Sequence, residues 1–230
     1  MSFVTESITY FTQEGQENLS DCLRLSFSAA KQYGLGKVII FTGVGNGIQS
    51  AIEDFADQPD YSQIQIVGVT FPLGFERHQD GKLAPHVFPH ERKEEFSKRG
   101  IPLVRAHLPF NPISMQYKNT GVLAQDLGIV GNALNIFCGS MSLCVQAVMI
   151  ACDAGEVEVG EHVVVMTSDT SLLVRAAPTA RLLTDLIVRQ IICKPAFLTI
   201  AKTEKPRLSH VTELEASEIE GAASDVKRLE

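Results

Sequence analysis

The chain has no tryptophan, no CxxC pair and no GxSxG turn, and its five cysteines are odd in number. Cys22, Cys138, Cys144, Cys152 and Cys193 therefore do not read as a zinc ribbon, a redox pair or a disulfide framework. They read as reduced thiols filling the core of a cytosolic protein. Without the nucleophile elbow there is no serine-hydrolase signature either. Positive charge is also scarce: 20 Lys and Arg stand against 27 Asp and Glu, a net charge of -7. Sequence-independent nucleic-acid binding rests on clustered cations that neutralise phosphates, and no basic stripe occurs, so a nucleic-acid polymer is excluded as partner. The N-terminal "MSFVTESITYF" lacks a basic start followed by an apolar core, so no signal peptide is expected. The longest apolar run, Ala133 to Ala154, is interrupted by Asn135, Ser140, Ser142, Gln146 and Asp153 and lacks basic flanks. It reads as a buried helix around Leu134 to Ala154, not a membrane span. A cytoplasmic location without a membrane partner is the expectation.

What is present is enough for a core: 230 residues, 45% of them apolar, can fold as one domain. Asn18 to Tyr33 sets Leu19, Cys22, Leu23, Phe27 and Ala30 at helical spacing, with Asn18 as cap and Gly34 as stop. "KVIIF" is apolar on both faces, as a strand covered by helices on both sides must be. Ile48, Ala51, Ile52 and Phe55 then recur at i, i+3, i+4 and i+7. The alternation continues with a strand at Ile64 to Thr70, a charged helix from Pro89 to Arg99, and a strand at "IPLVRA". After the apolar helix come strands at His162 to Thr167 and "SLLVRA", then a helix from Thr179 to Ile192. Alternating strands and helices predict an α/β three-layer sandwich with a mostly parallel sheet. Ile39, Ile40, Val67, Val69, Val104, Ala147, Ile150, Val164 and Val165 are expected in its core. Residues 1–201 form that domain, and 202–230 form a charged C-terminal extension.

Four stretches carry a family likeness: "YFTQEGQENLSDCLRLSFSAAKQYGLGKVIIFTGVGNG", "VGVTFPLGF", "IACDAGEV" and "VRQIICKP". In this order, from about Ile8 to Pro195, the chain resembles stand-alone proteins similar to the C-terminal α/β domain of pyruvate kinase. The resemblance implies that domain's fold without the catalytic barrel, so pyruvate kinase chemistry is not expected. It also implies that a phosphorylated effector can sit at the strand ends. The family usually carries glycines and often an arginine where this chain has Thr167 to Ser171, which leaves a second phosphate contact there in doubt. Arg175 could compensate, or could be a surface cation.

In an open α/β sheet, ligands bind beyond the carboxyl ends of the strands. The loop Thr42-Gly43-Val44-Gly45-Asn46-Gly47, followed by Ile48, offers backbone amides at a helix N-terminus, where partial positive charge favours an anion. It matches neither the Walker loop nor the dinucleotide fingerprint, and serves either as a phosphate cradle or as a plain turn. Its three alternating glycines, which open the backbone to close approach, favour the cradle. Thr70, Phe71, Gly74 and Phe75 form the next loop, Pro109, Phe110 and Asn111 the third, and Thr167, Ser168, Asp169 and Thr170 the fourth. The aromatics either stack a flat ring or cover the core's rim. His78, Asp80, His86, His90 and Glu91 read as a solvated loop before a helix, since Pro85 and Pro89 prevent the helical spacing a metal pair would need. Cys138 and Cys144 read as inert packing and Asp153 as a helix-end anchor. The expectation is a binding or regulatory module for a phosphorylated small molecule: a nucleotide, flavin mononucleotide or sugar phosphate. The alternative is an enzyme using flavin or a phosphorylated metabolite at the same place, and either form could be a homo-oligomer.

Overall fold

Val38, Ile40, Ile66, Val164 and Met166 pack against one helical layer, and Ile39, Phe41, Val67, Val69, Val163 and Val165 against the other. The period-two alternation of side chains sends one apolar set to each face of the sheet. The structure, a computed structural model, describes residues 4–56, 58–79, 82–110 and 123–196. The elements in chain order are β1 (Thr9–Phe11), α1 (Leu19–Gln32), β2 (Lys37–Phe41), α2 (Asn46–Ala51), β3 (Gln65–Thr70), β4 (Glu76–Gln79) and β5 (Lys82–Pro85). They continue with α3 (His90–Lys98), β6 (Leu103–Arg105), α4 (Leu123–Asn135), α5 (Met141–Asp153), β7 (His162–Met166), β8 (Ser171–Arg175), α6 (Leu182–Asp185) and β9 (Ile187–Pro195). Residues 202–230, with Asp80 and Asn111, lie outside the described residues.

Among the described residues seven strands form one sheet in the order β1-β9-β8-β7-β2-β3-β6. Pairing is parallel for β1 with β9, β2 with β7, β2 with β3 and β3 with β6, and only β8 runs against the rest. This is the expected α/β fold with a mostly parallel sheet. Helices α1, α2 and α3 pack on one face, with Cys22, Leu23, Phe27, Ile48 and Phe96 buried there. Helix α5 packs on the other, buried from Met141 to Cys152 except at Leu143. Of the residues expected in the core, Val104 alone is half-buried; the others are buried.

Two expectations are corrected. The apolar run is not one helix: α4 ends at Asn135 and α5 begins at Met141, with turns at Ile136 and Phe137 between them. Gly139 and Ser140 are poor interior residues, and Ser140 becomes the N-cap of the second helix. Among the described residues no helix is long and apolar enough to cross a membrane. The segment Thr179 to Ile192 is not a helix either. After one 3-10 turn at Thr179–Arg181 and the single turn of α6, Ile187–Pro195 becomes the longest strand. Its Ile and Val residues suit a pleated surface, and it pairs with β8 on one side and β1 on the other, supplying the ladder bonds β8 would otherwise lack. Local helix spacing loses to that requirement.

Candidate functional site

From β2 the chain winds outward through β3 to β6, whereas β7, β8 and β9 extend the sheet in the opposite direction. The reversal lies between β2 and β7, and an α/β sheet opens a crevice at the carboxyl ends of two such strands. A cavity of about 350 Å³ lies there. Thr42 leaves β2 into it, Thr167 and Ser168 leave β7 into it, and Phe71 after β3 forms part of its wall.

Three helices begin at this cavity. Asn46 and Gly47 open α2, Gln16 and Leu19 stand at the start of α1, and Ser140 and Leu143 at the start of α5. The first amides of a helix lack an internal acceptor, and the aligned peptide dipoles leave partial positive charge at that end. α1 and α5 are 14 and 13 residues long, so two of the three dipoles are well developed. The hydroxyl-bearing residues Thr42, Ser140, Thr167 and Ser168 add short polar side chains around the same space.

The glycine turn is built differently from what alternating glycines suggest. Gly45 takes φ 95°, a left-handed conformation that only glycine adopts without strain. A Cβ on it would lie 3.1 Å from Arg92 Cδ and Phe88 Cζ and 3.2 Å from Phe96 Cε2, so Gly45 faces α3 and not the cavity. Gly47 lets α2 approach β2, where a Cβ would lie 2.9 Å from Ile40 Cγ2. The Gly45 N–H donates to Thr42 Oγ1 at 3.0 Å. Thr42, Gly43, Val44, Asn46 and Gly47 line the cavity. Ile48 turns its side chain into the core.

Of the second loop, Thr70 is buried and donates its hydroxyl to the Gly43 carbonyl at 3.3 Å. Phe75 stacks on Phe71 with centroids 4.3 Å apart and 10° between planes, and Phe41 meets Phe71 edge-on at 4.9 Å. Gly74 sits at φ 76° in an open turn with no atom near its missing Cβ. Phe110, of the third loop, is core, its amide donating to Gln146 Oε1 at 2.8 Å.

The fourth loop divides. Thr167 and Ser168 reach the cavity, whereas Asp169, 4% exposed, accepts the Gly15 N–H at 3.0 Å and the hydroxyls of Thr167 and Thr170 at 3.3 and 3.1 Å. It is a buried tie between the chain before α1 and the β7–β8 turn. Thr170 is buried beside Cys138. Arg175 does not reach this loop: β8 is antiparallel, so Arg175 pairs with His162 at the opposite end of the sheet and donates to the Asp185 carbonyl.

The segment read as a solvated loop is a hairpin, β4 with β5, followed by buried Phe88. His78 is part of β4. His86 Nε2 lies 2.7 Å from the Gly43 carbonyl and must be its donor, while His90 contacts Glu94 on the solvent side of α3. Among the described residues no group of three His, Cys, Asp or Glu could hold a metal ion. The five cysteines are free and buried. A hydrogen bond with Cys193, followed by burial, pushes the Cys22 thiol well above the usual range, and burial does the same to Cys144. Thiols so placed are poor nucleophiles. Asp153 accepts the amide and hydroxyl of Thr179 and anchors the end of α5.

Gln16, Leu19, Ser140 and Leu143 were not anticipated as site residues. The signal lay in chain order. A helix joining parallel strands runs against them, so its N-terminus falls at the carboxyl end of the sheet. Gly15 and Gly139-Ser140 mark two such starts.

Fold and crevice define an α/β protein with a small-molecule-sized cavity at the sheet's reversal point. No family model matches the chain. Among solved structures it is similar to Cryptosporidium parvum pyruvate kinase, with TM-score 0.32 and 11% identity over 72% of this chain. The match spans 23% of that enzyme's chain.

Proposed function

We propose that this chain is a stand-alone relative of the pyruvate kinase C-terminal domain, and that it binds a phosphorylated small molecule in the crevice between β2 and β7. The observation that carries the reading is the convergence of the starts of α1, α2 and α5 on one cavity. Three helix starts around one space bring partial positive charge that favours an anion, and phosphate accepts bonds from several directions at once. The volume of about 350 Å³ is within the range of small-molecule sites. Phe71 at the wall, backed by Phe75, suits a planar ring, so a nucleotide or flavin mononucleotide is favoured over a sugar phosphate. We read the role as binding or regulation, since the described lining of the crevice brings together amides and hydroxyls. We place the protein in the cytoplasm, where five unpaired thiols stay reduced.

The test is amide-resolved NMR titration with inorganic phosphate, adenosine monophosphate and flavin mononucleotide. Shifts should concentrate at residues 42 to 48, at Ser140 and at Ser168, with the ring-bearing ligands tighter than phosphate. A yellow protein as purified would instead support the flavin enzyme. Absence of any shift at those residues with all three probes would refute the reading.

A further inference from the structure

The carbonyls of the glycine turn are held from outside the cavity. The Gly43 carbonyl accepts from His86 Nε2 at 2.7 Å and from Thr70 Oγ1 at 3.3 Å. The Val44 carbonyl accepts from Arg92 Nη1 at 2.6 Å, and the same nitrogen reaches Asn46 Oδ1 at 2.5 Å. None of these three donor residues lines the cavity. In a trans peptide the N–H points opposite to the C=O, and no cis peptide occurs among the described residues. Fixing the Gly43 carbonyl toward His86 therefore turns the Val44 N–H away from His86. The next peptide shows the same geometry: its Val44 carbonyl faces Arg92, and its Gly45 N–H points to Thr42. Behind the turn, Phe88, Arg92 and Phe96 stand within 3.1–3.2 Å of where a Cβ on Gly45 would lie, so the residues that follow His86 pack closely against the turn.

We propose that His86 and Arg92 are positioning residues for the ligand turn. They hold the Gly43 and Val44 carbonyls outward, so that the Val44 amide is presented to the cavity and the Gly45 amide stays on Thr42, without touching the ligand themselves. Two strong donors on adjacent carbonyls prevent the peptides from flipping, a motion that would aim carbonyl oxygens at an anion. The ligand half of this inference rests on the anion reading above; the turn half stands without it.

The experiment compares the parent with His86→Ala, His86→Gln and Arg92→Ala in two measurements. One is affinity for inorganic phosphate, and the other is hydrogen exchange at the Gly45 amide in the ligand-free protein. Gln places its amide nitrogen near the position of Nε2 and keeps a donor, so it separates loss of the bond from loss of the ring. His86→Ala and Arg92→Ala should each weaken phosphate roughly five- to tenfold, as loss of one bond to a carbonyl implies, and speed exchange at Gly45 by a similar factor. His86→Gln should restore both to within about threefold. If phosphate binds the parent and both alanine variants equally well, or if Gln rescues neither measurement, the positioning role is wrong. If phosphate fails to bind the parent, the anion reading falls alone. Exchange at Gly45 then decides the turn: faster in the alanine variants and restored by Gln sustains the clamp, and unchanged exchange overturns it.

Discussion

Replacing Gly45 with alanine separates a glycine kept for its neighbours from one kept for a ligand. At φ 95° a Cβ costs about 1–2 kcal/mol for the left-handed backbone. It would also stand 3.1–3.2 Å from carbons of Arg92, Phe88 and Phe96, inside ordinary carbon contact of about 3.5–4.0 Å. Overpacking of that kind adds about 1–3 kcal/mol. Stiffening the unfolded chain returns about 0.4–1 kcal/mol, so the net loss should be about 2–3 kcal/mol. Gly34 supplies the control: it lies at φ 64° with no atom within 4 Å of its missing Cβ. Gly34→Ala should cost only about 0.5–1 kcal/mol, the backbone part alone. The chain has no tryptophan, so urea unfolding is followed by far-ultraviolet circular dichroism. With a slope of about 2 kcal/mol per molar, the Gly45→Ala midpoint should fall by about 1 M or slightly more. Equal losses for the two variants would refute the packing argument and return Gly45 to the list of residues kept open for a ligand.

Thr42→Val matches the side chain in shape but removes the acceptor for the Gly45 N–H at a site 6% exposed. It should cost about 1–3 kcal/mol in the same assay while leaving the native circular dichroism unchanged, and a loss below about 0.3 kcal/mol would show that water replaces the hydroxyl. Alkaline pH should destabilise the protein. The Cys22 and Cys144 thiols are raised in the folded state, so their contribution is whole below the unfolded thiol pKa of about 8.5 and is lost as pH rises toward the folded values. Under reductant, the urea midpoint should fall between pH 8 and pH 10, and Cys144→Ala should make that fall shallower; an identical slope in the variant would remove Cys144 as a cause.

The elements readable in the sequence were those whose local and tertiary demands agree. Residues 38–41 and 66–69 are buried at every position because both faces are covered, and Leu19–Gln32 carries one apolar stripe because one face is. The segment from Thr179 to Ile192 misled because its spacing admits a helix. One of the two partners that make a strand of its end, β1, lies near the start of the chain, and spacing within a segment carries no record of such a partner. The hairpin at residues 76–85 was missed for a related reason: its polar, charged sequence resembles a loop, and only the pairing of Glu76 with Pro85 through Gln79 with Lys82 reveals it.

The site divides along the same line. Strand, glycine turn and helix in succession were enough to place Thr42, Gly43, Val44, Asn46 and Gly47 at a strand's carboxyl end, and Thr167 with Ser168 at another, since these follow from chain order and hydrophobic period. Tertiary structure alone decided which way each residue faces. It turned Gly45 toward Phe88 and Phe96, buried Asp169 against Gly15, sent Arg175 to the far end on an antiparallel strand, and brought the starts of α1 and α5 beside that of α2. The physical reason is range: turn and period are local properties of the backbone, whereas the side chains and helix ends that close the crevice meet only after the sheet has ordered its strands.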